Sequence, residues 1–264
     1  MEKNSRIEVK DPFDERARLF TQDKVDLYNT ANASFASARE TERQLLIDQL
    51  GLRPGITICD AIAGGGYIAE GIWQVLDGDC HIICVENSEN FCKSIDPKFE
   101  RIVSSLSDIQ LPDASVDRVS CLAGIHHQED KAQFFREAFR ILKPGGRLAL
   151  GDVLEGSATA TWLNVVVDAC SEEGHDGMFL QHGDMTCYMR EAGFEDMDEQ
   201  YHEYTWNCDD WKGLVTFCKT LFRMTKATHQ EVEAEIRKHM QVELTPDAAK
   251  MGWSLIYASG VKPL

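Results

Sequence analysis

Apolar and polar residues in the first half of the chain follow two periods, one typical of helices and one typical of buried strands. Residues 36–50 (ASARETERQLLIDQL) carry apolar or small side chains at helical spacing, and GLRPG ends the helix. ITICDAIA has the short, β-branched, apolar composition of a buried strand. After three glycines, YIAEGIWQVL places Ile68, Ile72 and Val75 on one helical face. These segments predict a strand, a turn and a helix.

The same alternation continues through the next part of the chain. CHIICVEN, RIVSSLSD, RVSCLAGI and RLALGDV have strand composition, while SENFCKSI and EDKAQFFREAFRIL have helical spacing, the latter ending at KPGG. Strands that alternate with helices predict an α/β fold with a doubly wound, mostly parallel sheet, for which we expect seven strands. Ligands bind beyond the carboxyl ends of the strands in such sheets.

After residue 155 helical patterns become more frequent. TATWLNVVVDACSE, MTCYMREAGF, DDWKGLVTFCKTLFRM and HQEVEAEIRKHM have helical spacing, whereas MDEQYHEYTW and GWSLIYASGVKP have strand character. We expect a flexible arm over residues 1–17 and a single domain over 18–264. Helical cap insertions are expected at about 156–180 and 207–245, and caps of this kind usually select the substrate.

Composition narrows the function classes. The 264 residues include 27 Lys and Arg against 44 Asp and Glu, a net charge of −17, which repels polyanions and argues against a nucleic-acid partner. No apolar stretch has the length of a membrane span or of a secretory signal, so we expect a cytoplasmic protein. The nine cysteines are an odd number, typical of reduced thiols, and no metal site is predicted, since Cys80 and Cys84 lie along a strand.

The glycine-rich turn in CDAIAGGGYIAE indicates a ligand. Gly64, Gly66 and Ala69 match a G-x-G-x-x-A pattern between strand and helix, and Glu86 ends the next strand. Glycines permit close approach of a ligand to the backbone, and a carboxylate accepts hydrogen bonds from ribose hydroxyls. Dinucleotides and S-adenosylmethionine both bind in this way, so the motif alone leaves both open.

The strand ends and the stretches after them carry a family resemblance. Asp60, Glu86 and Asp108 follow three successive strands, and LPDASVDRVSCLAGIHH leads to REAFRILKPGGRLALGDV. Over about residues 40–198 the chain resembles the class I S-adenosylmethionine-dependent methyltransferases, especially the small-molecule group that includes the ubiquinone and menaquinone methyltransferases. The resemblance implies a Rossmann-like methyltransferase fold, S-adenosylmethionine as cofactor and methyl transfer to a small-molecule acceptor.

Cofactor contacts follow from the resemblance by position. The residues to which it assigns such contacts are Asp60, Gly64, Gly66, Glu86, Asn87, Ser107, Asp108 and Ala123. Glu86 would bind the ribose hydroxyls and Asp108 the adenine amino group, because carboxylates accept from both. The glycines would surround the methionine portion and the ribose, and Ala123 would lie near the sulfonium.

Ile62 departs from the family pattern D-x-G-x-G-x-G, because it occupies the first glycine position. Either the backbone there does not need a positive φ, or the loop is reshaped. This departure keeps open a non-methylating enzyme that uses the same cofactor. An NAD(P)-dependent oxidoreductase and a non-catalytic cofactor-binding protein are further alternatives, although the chain after residue 150 lacks the second βαβ set expected of a dehydrogenase.

Two histidines are candidates for the base that takes a proton from the acceptor. His126 and His127 follow the fourth strand, at the correct edge of the sheet. Because adjacent residues point apart, we expect only one of them to face the cleft, and we favour His127.

Acceptor contacts are expected from outside the sheet. The candidates are Tyr28, in an amino-terminal lid segment with Asn29, and, in the later segments, Trp162, His182, Tyr204 and Trp206. Cys170 with His175 could suggest thiol chemistry, but no third group in the sequence would orient the pair. The acidic run SEEGHD around His175 is expected to be a solvated loop.

Overall fold

An open eight-stranded sheet forms the centre of the computed structural model, which describes residues 21–264. The strands are β1 (Ile56–Ala61), β2 (Cys80–Glu86), β3 (Glu100–Val103), β4 (Val116–Leu122), β5 (Leu142–Asp152), β6 (Glu195–Cys208), β7 (Val242–Thr245) and β8 (Ala248–Val261). Seven of them lie in the order β3-β2-β1-β4-β5-β8-β6, and β7 pairs with β8. The pairings among β1 to β5 are parallel, whereas β8 is antiparallel to its neighbours. The predicted doubly wound, mostly parallel sheet is therefore confirmed, and β7 adds a strand in a segment predicted to be helical.

Helices cover both faces of the sheet. They are α1 (Gln22–Ser34), α2 (Glu40–Gln49), α3 (Tyr67–Val75), α4 (Glu89–Ser94), α5 (Lys131–Ile141), α6 (Ala158–Thr161), α7 (Asp168–Cys170), α8 (Asp184–Ala192), α9 (Trp211–Leu221) and α10 (His229–His239). A π-helical segment, Trp162–Val167, joins α6 to α7, and a 3-10 turn, Ile125–His127, follows β4. The arm expected at 1–17 lies outside the described residues. None of the helices within residues 21–264 has both the length and the apolar character needed to cross a bilayer.

The central strands alternate their side chains between two apolar cores. Ile58 of β1 and Ile82 of β2 belong to a cluster that also contains residues of α2 and α3. Their neighbours Cys59 and Ile83 belong to a second cluster, which contains residues of α5 and α8. Successive strand residues point to opposite faces of the sheet. A strand that is buried on both faces therefore has a continuous apolar sequence, as these strands do.

The carboxyl ends of the parallel strands meet at one edge of the sheet. Ala61 at the end of β1 is in register with Val85 on β2 and Cys121 on β4, and Leu122 is in register with Gly151 on β5. The segments that follow these strands therefore lie side by side, where ligands bind in sheets of this kind.

Candidate active site

A pocket of about 450 Å³ opens at this edge. Its lining includes Tyr28, Arg39, Ile62, Gly64, Glu86, Asn87, Ala123, His126, His127, Leu163, Val167, His175, Trp206, Phe222, Trp253 and Leu255. The glycine loop and the ends of β2 and β4 supply one part of the wall, and the segments after residue 155 supply the other. The pocket thus joins the predicted cofactor loop to the predicted cap segments.

Glu86 holds the glycine loop and also faces the pocket. Its Oε2 accepts a hydrogen bond from the backbone N–H of Gly64 (2.9 Å), and its Oε1 accepts from the N–H of Ser88 (3.0 Å). Burial raises the pKa of the Glu86 carboxyl, and these backbone donors oppose that rise. The carboxylate therefore fixes the loop that surrounds the pocket while remaining part of the pocket wall.

Asp60 lies beneath the loop, and its carboxylate ties three elements together. Oδ1 accepts from Ser120 Oγ on β4 (2.8 Å), and Oδ2 accepts from the N–H of Ala69 in the first turn of α3 (3.2 Å). The side chain is completely buried, and burial raises its pKa to about 7 against the opposing effect of the two hydrogen bonds. In this structure Asp60 positions the loop and is not part of the pocket lining.

Ile62 adopts a backbone conformation that normally favours glycine. Its φ is +58°, in the left-handed region, and Gly64 and Gly66 have φ of +53° and +85°. The sequence left two alternatives for position 62. The first, that its backbone does not need a positive φ, is wrong. The backbone keeps the glycine-type conformation although a β-branched side chain occupies it, and the Ile62 side chain packs against Gly124 at the end of β4.

Helix α1 covers the glycine loop from outside. The Tyr28 ring lies 3.7 Å from the position that a Cβ on Gly64 would take, and a side chain on Gly65 would collide with the Asn29 amide. Tyr28 also accepts a hydrogen bond from Arg39 (3.3 Å) and packs edge-on against Phe91. The amino-terminal segment thus covers the loop and leaves no room for a side chain at position 65. The predicted contact of Tyr28 and Asn29 with the cofactor or the acceptor remains a prediction.

The residues around the loop fit S-adenosylmethionine. Asn87 lines the pocket beside Glu86, and its buried amide nitrogen and oxygen have no hydrogen-bond partner among the described residues. Buried polar atoms of this kind are normally satisfied, which points to a polar ligand. Glu86, Asn87 and the backbone of Gly64 are the groups that would hold a ribose and an amino-acid tail.

Besides Asp60, three predicted cofactor residues lie away from this pocket. Gly66 caps α3 and lines a second pocket, to which α1 and α4 also contribute. Asp108 is exposed in the loop after β3, where its backbone carbonyl accepts from Ser104 Oγ (2.8 Å). Ser107 lies beside it and accepts from the Gln128 amide (3.4 Å). Their predicted contacts with the cofactor remain predictions.

Three histidines meet on one wall of the pocket. The ring centroids of His126 and His127 are 4.1 Å apart, and that of His175 lies 5.4 Å and 5.1 Å from them. The expectation that only one of the adjacent histidines faces the cleft is wrong, because they lie in a 3-10 turn and not in an extended strand. His175 was not predicted at the site.

Asp152, at the end of β5, orients His126. Its Oδ1 lies 2.5 Å from His126 Nδ1, and its Oδ2 accepts from the backbone N–H groups of Ile125 (2.9 Å) and His126 (3.2 Å). Burial alone would raise the pKa of this carboxyl, but the adjacent His126 ring and the backbone donors outweigh burial and lower it. The ionised carboxylate accepts from Nδ1–H, so in the neutral ring Nε2 carries the lone pair.

Asn164 fixes His175 in the same way. Gly177 donates its N–H to Asn164 Oδ1 (2.9 Å) and accepts from Asn164 Nδ2 (2.8 Å), which settles the orientation of the amide. The His175 Nδ1, 2.7 Å from Oδ1, must then be the donor, because an amide oxygen only accepts. Nε2 of neutral His175 therefore carries the lone pair, as it does in His126.

The acidic run around His175 is only partly the solvated loop that the sequence predicted, because Glu172 and Asp176 are exposed but other residues of the run are held by the fold. Ser171 is buried, and Glu173 forms an ion pair with Arg223 of the cap. The N–H of Met178 donates to the carbonyl of His126 (2.8 Å). These contacts fold the loop inward and bring His175 to the pocket.

Aromatic side chains form another part of the pocket lining, next to the buried Glu42, whose carboxylate accepts from Trp206 Nε1 (2.9 Å). Trp206 and Trp253 stack with ring centroids 3.8 Å apart, and Phe222 stacks beside them. Of the predicted acceptor residues, Tyr28 and Trp206 line the pocket, whereas Tyr204 does not and Trp162 is buried behind it against Phe222. His182 is exposed beside Tyr201 and is not part of the lining.

Comparisons with known proteins agree with this architecture. The Methyltransf_11 family, described as "Methyltransferase domain", matches residues 60–150. The 27-O-demethylrifamycin SV methyltransferase of Amycolatopsis mediterranei is 31% identical over 187 residues, 67% of this chain and 67% of that protein. A ubiquinone/menaquinone biosynthesis C-methyltransferase of Laribacter hongkongensis is 28% identical over 137 residues, 49% of this chain and 54% of that protein. The chain thus spans about half to two thirds of these curated relatives.

Solved structures show the same fold at lower identity. A phosphoethanolamine N-methyltransferase of Haemonchus contortus superposes with a TM-score of 0.63 at 16% identity, covering 96% of this chain and 60% of that one. A [4+2]-cyclase superposes with a TM-score of 0.64 at 15% identity, covering 95% of this chain and 96% of that one. At these identities the likeness shows the fold alone.

Proposed function

Because this chain belongs to the class I S-adenosylmethionine-dependent methyltransferases, we propose that it methylates a small acceptor molecule with an aromatic or apolar body and a hydroxyl group. The observation that carries the proposal is the lining of the pocket, which combines three histidines and two stacked tryptophans with the glycine loop. The cofactor of this enzyme is S-adenosylmethionine, which supplies an activated methyl group to the acceptor.

The chain's first task is to hold the cofactor. Glu86 accepts hydrogen bonds on carboxylate oxygens that also fix Gly64, and the Asn87 amide offers both a donor and an acceptor. Tyr28 and Asn29 close the loop from the outside. This arrangement orients the cofactor and keeps water from it, and orientation supplies most of the rate in a displacement at carbon.

The acceptor is held by aromatic side chains of β6 and β8 and by the helical segment after β5. Trp206 and Trp253 present stacked rings, and Leu163 and Val167 add aliphatic contacts from the helical segment after β5. Burial of an aromatic or apolar body on these side chains would leave the hydroxyl for the histidines of the same pocket. A pocket of about 450 Å³ that also takes the cofactor favours a small acceptor.

His126 is proposed to remove the acceptor proton. As the acceptor oxygen attacks, its O–H bond breaks and the proton passes to Nε2 of His126, while Asp152 stabilises the imidazolium through Nδ1–H. His127 lies beside it in the same wall and would contact the acceptor. The buried carboxylate singles out His126, whereas the sequence alone favoured its neighbour.

A panel of phenols, alcohols and amines with isotopically labelled methyl donor tests the proposal. We expect label in a phenol or alcohol, with one S-adenosylhomocysteine formed per methylated product. Product formed without S-adenosylhomocysteine would identify the non-methylating alternative. Labelling of amines only would contradict the proposed acceptor class.

A further inference from the structure

The histidine wall has the composition of a metal site. One ring nitrogen of each of His126, His127 and His175 lies within 4.8 Å of those of the other two. No second group of three histidine, cysteine or acidic side chains with this spacing occurs within residues 21–264. Imidazole is the ligand that zinc, cobalt, nickel and copper prefer, whereas magnesium and calcium prefer oxygen.

The ring nitrogens of the three histidines would have to move only a short distance to bind one metal ion. Nitrogen ligands at about 2.0–2.1 Å from a tetrahedral zinc ion are about 3.4 Å apart, so the present spacing of up to 4.8 Å closes by at most about 1.4 Å. His175 lies in a loop between α7 and α8. A loop residue can approach the histidines of the 3-10 turn without moving a strand or a helix.

Two of the three histidines donate Nδ1–H to a side chain behind them, as metal-binding histidines usually do. Asp152 accepts from Nδ1 of His126, and Asn164 accepts from Nδ1 of His175. Such acceptors fix the tautomer so that the Nε2 lone pair is presented to the metal. Asn164 lies in the π-helical segment Trp162–Val167, a rare geometry that is frequent at functional sites.

The charge around the cluster favours a cation. Asp168 and Asp176 line the same part of the pocket, and Asp168 accepts from the backbone N–H of His175 (2.9 Å). The chain as a whole carries a net charge of −17. The carboxylates beside His175 would favour a divalent cation there, against the opposing charges of Lys24 and Arg39 in the same lining.

From these observations we propose that His126, His127 and His175 bind one divalent transition-metal cation, with its remaining coordination position open to the pocket. The proposal goes beyond methyl transfer, since neither the cofactor site nor a histidine base requires a cation. Its ligand is a cation of the zinc, cobalt and nickel class.

A bound cation would change how the acceptor loses its proton. Nε2 of His126 cannot bind a metal and take a proton at once. An acceptor oxygen at the open position would instead lose its proton to solvent water and keep the electron pair, because the cation stabilises the resulting anion. The site would thus select acceptors whose oxygen can bind a metal.

Cobalt titration of the chelator-treated, full-length protein tests the proposal. Co²⁺ bound by imidazoles has visible d–d absorption, so binding is measured without any acceptor. We expect one Co²⁺ per chain, displaced by Zn²⁺ and not by Mg²⁺, and a rise in melting temperature with Zn²⁺. Absence of both the absorption and the melting shift would overturn the proposal.

Variants locate the site. His175→Ala is expected to weaken Co²⁺ binding at least tenfold. Asn164→Ala should weaken it about tenfold, because the hydrogen bond that orients the His175 ring is lost. His229→Ala, at an exposed histidine at the start of α10, is the matched control and should bind like the wild type. Equal Co²⁺ affinity in His175→Ala and the control would contradict the assignment.

S-adenosylhomocysteine affinity, measured in the same metal-free samples, separates this inference from the proposed function. Retained affinity for S-adenosylhomocysteine with no Co²⁺ binding would overturn the metal site alone. Co²⁺ binding without any labelled product in the acceptor panel would leave the metal site intact and count against the proposed acceptor. Retained S-adenosylhomocysteine affinity in His175→Ala also shows that this variant is folded.

Discussion

Ile62 and Gly124 are packed so closely that a side chain at position 124 would touch Ile62. The Cγ2 atom of Ile62 lies 3.0 Å from the position that a Cβ on Gly124 would take, and Ile62 itself has a φ of +58°. A methyl group at position 124, just after β4, would therefore press on the isoleucine that departs from the family's glycine pattern. These two positions form one packing unit at the floor of the pocket.

This relationship predicts coupling between the two positions. Gly124→Ala should lower the free energy of unfolding by about 1–2 kcal/mol, because the new methyl group overpacks the site. In an Ile62→Gly background the same change should cost nothing, because the obstructing side chain is gone and alanine lowers the entropy of the unfolded chain. Urea unfolding of the four proteins gives the coupling energy, expected above about 0.5 kcal/mol. Additive effects would show that the contact is not tight.

Glu86→Gln should weaken S-adenosylhomocysteine binding at least tenfold, about 1.4 kcal/mol. The amide keeps one acceptor oxygen but loses the charge and presents N–H groups to the backbone donors of Gly64 or Ser88. Calorimetry measures the affinity. Glu89→Gln, an exposed carboxylate in the next helix, is the control and should leave it unchanged. Equal affinities in the two variants would remove Glu86 from the cofactor site.

Asp60 should make the stability of the protein pH-dependent. Its pKa in the folded state is about 7 against an ordinary value of 3.8, so between these values the unfolded chain loses a proton that the folded chain keeps. The free energy of unfolding should therefore fall as the pH rises from about 4 to about 7, by at most about 1.4 kcal/mol per pH unit from this group.

Asp60→Asn removes this group from the titration. The unfolding free energy of the wild type relative to Asp60→Asn should fall over the same interval and stay constant above about pH 8. Chemical unfolding of both proteins at several pH values measures the difference. A constant difference across the interval would mean that Asp60 is ionised in the folded protein.

Asp152→Asn should lower turnover about 10²- to 10⁴-fold with little change in S-adenosylhomocysteine affinity. Without the carboxylate, Nδ1 of His126 loses the charge that orients its ring and stabilises its protonated form. Turnover of the acceptor found in the panel and calorimetry with S-adenosylhomocysteine separate the two effects. Asp130→Asn, at an exposed carboxylate before α5, is the control. Parallel loss of turnover and cofactor affinity would indicate that Asp152 only maintains the fold.

The cofactor half of the site was predictable because its signals are local. A β-branched apolar run followed by three glycines and an apolar-faced helix specifies the loop, and Glu86 follows at the end of the next strand. Helix α1 gave no such signal, since QDKVDLYNTANAS has few apolar residues and buries only Val25 and Ala31. Its place is determined by packing on the loop and on α9, which one sequence does not reveal.

The acceptor half depends on contacts that are distant in sequence. His175 reaches His126 because Asn164 and Asp168 hold its loop from the preceding helical segment, and SEEGHD in the sequence looks like an exposed acidic loop. Both adjacent histidines reach the pocket because they lie in a 3-10 turn. The alternation of side chains along a strand does not predict such a turn.

The cofactor should lie along the glycine loop, with its sulfur directed at the three histidines, and a crystal structure with S-adenosylhomocysteine would show whether it does. We expect the ribose hydroxyls on Glu86, the methionine portion under Tyr28, and the sulfur beside Ala123, facing His126 and His127. Density for the ligand in the second pocket beside Gly66, or with its sulfur turned away from the histidines, would contradict this placement.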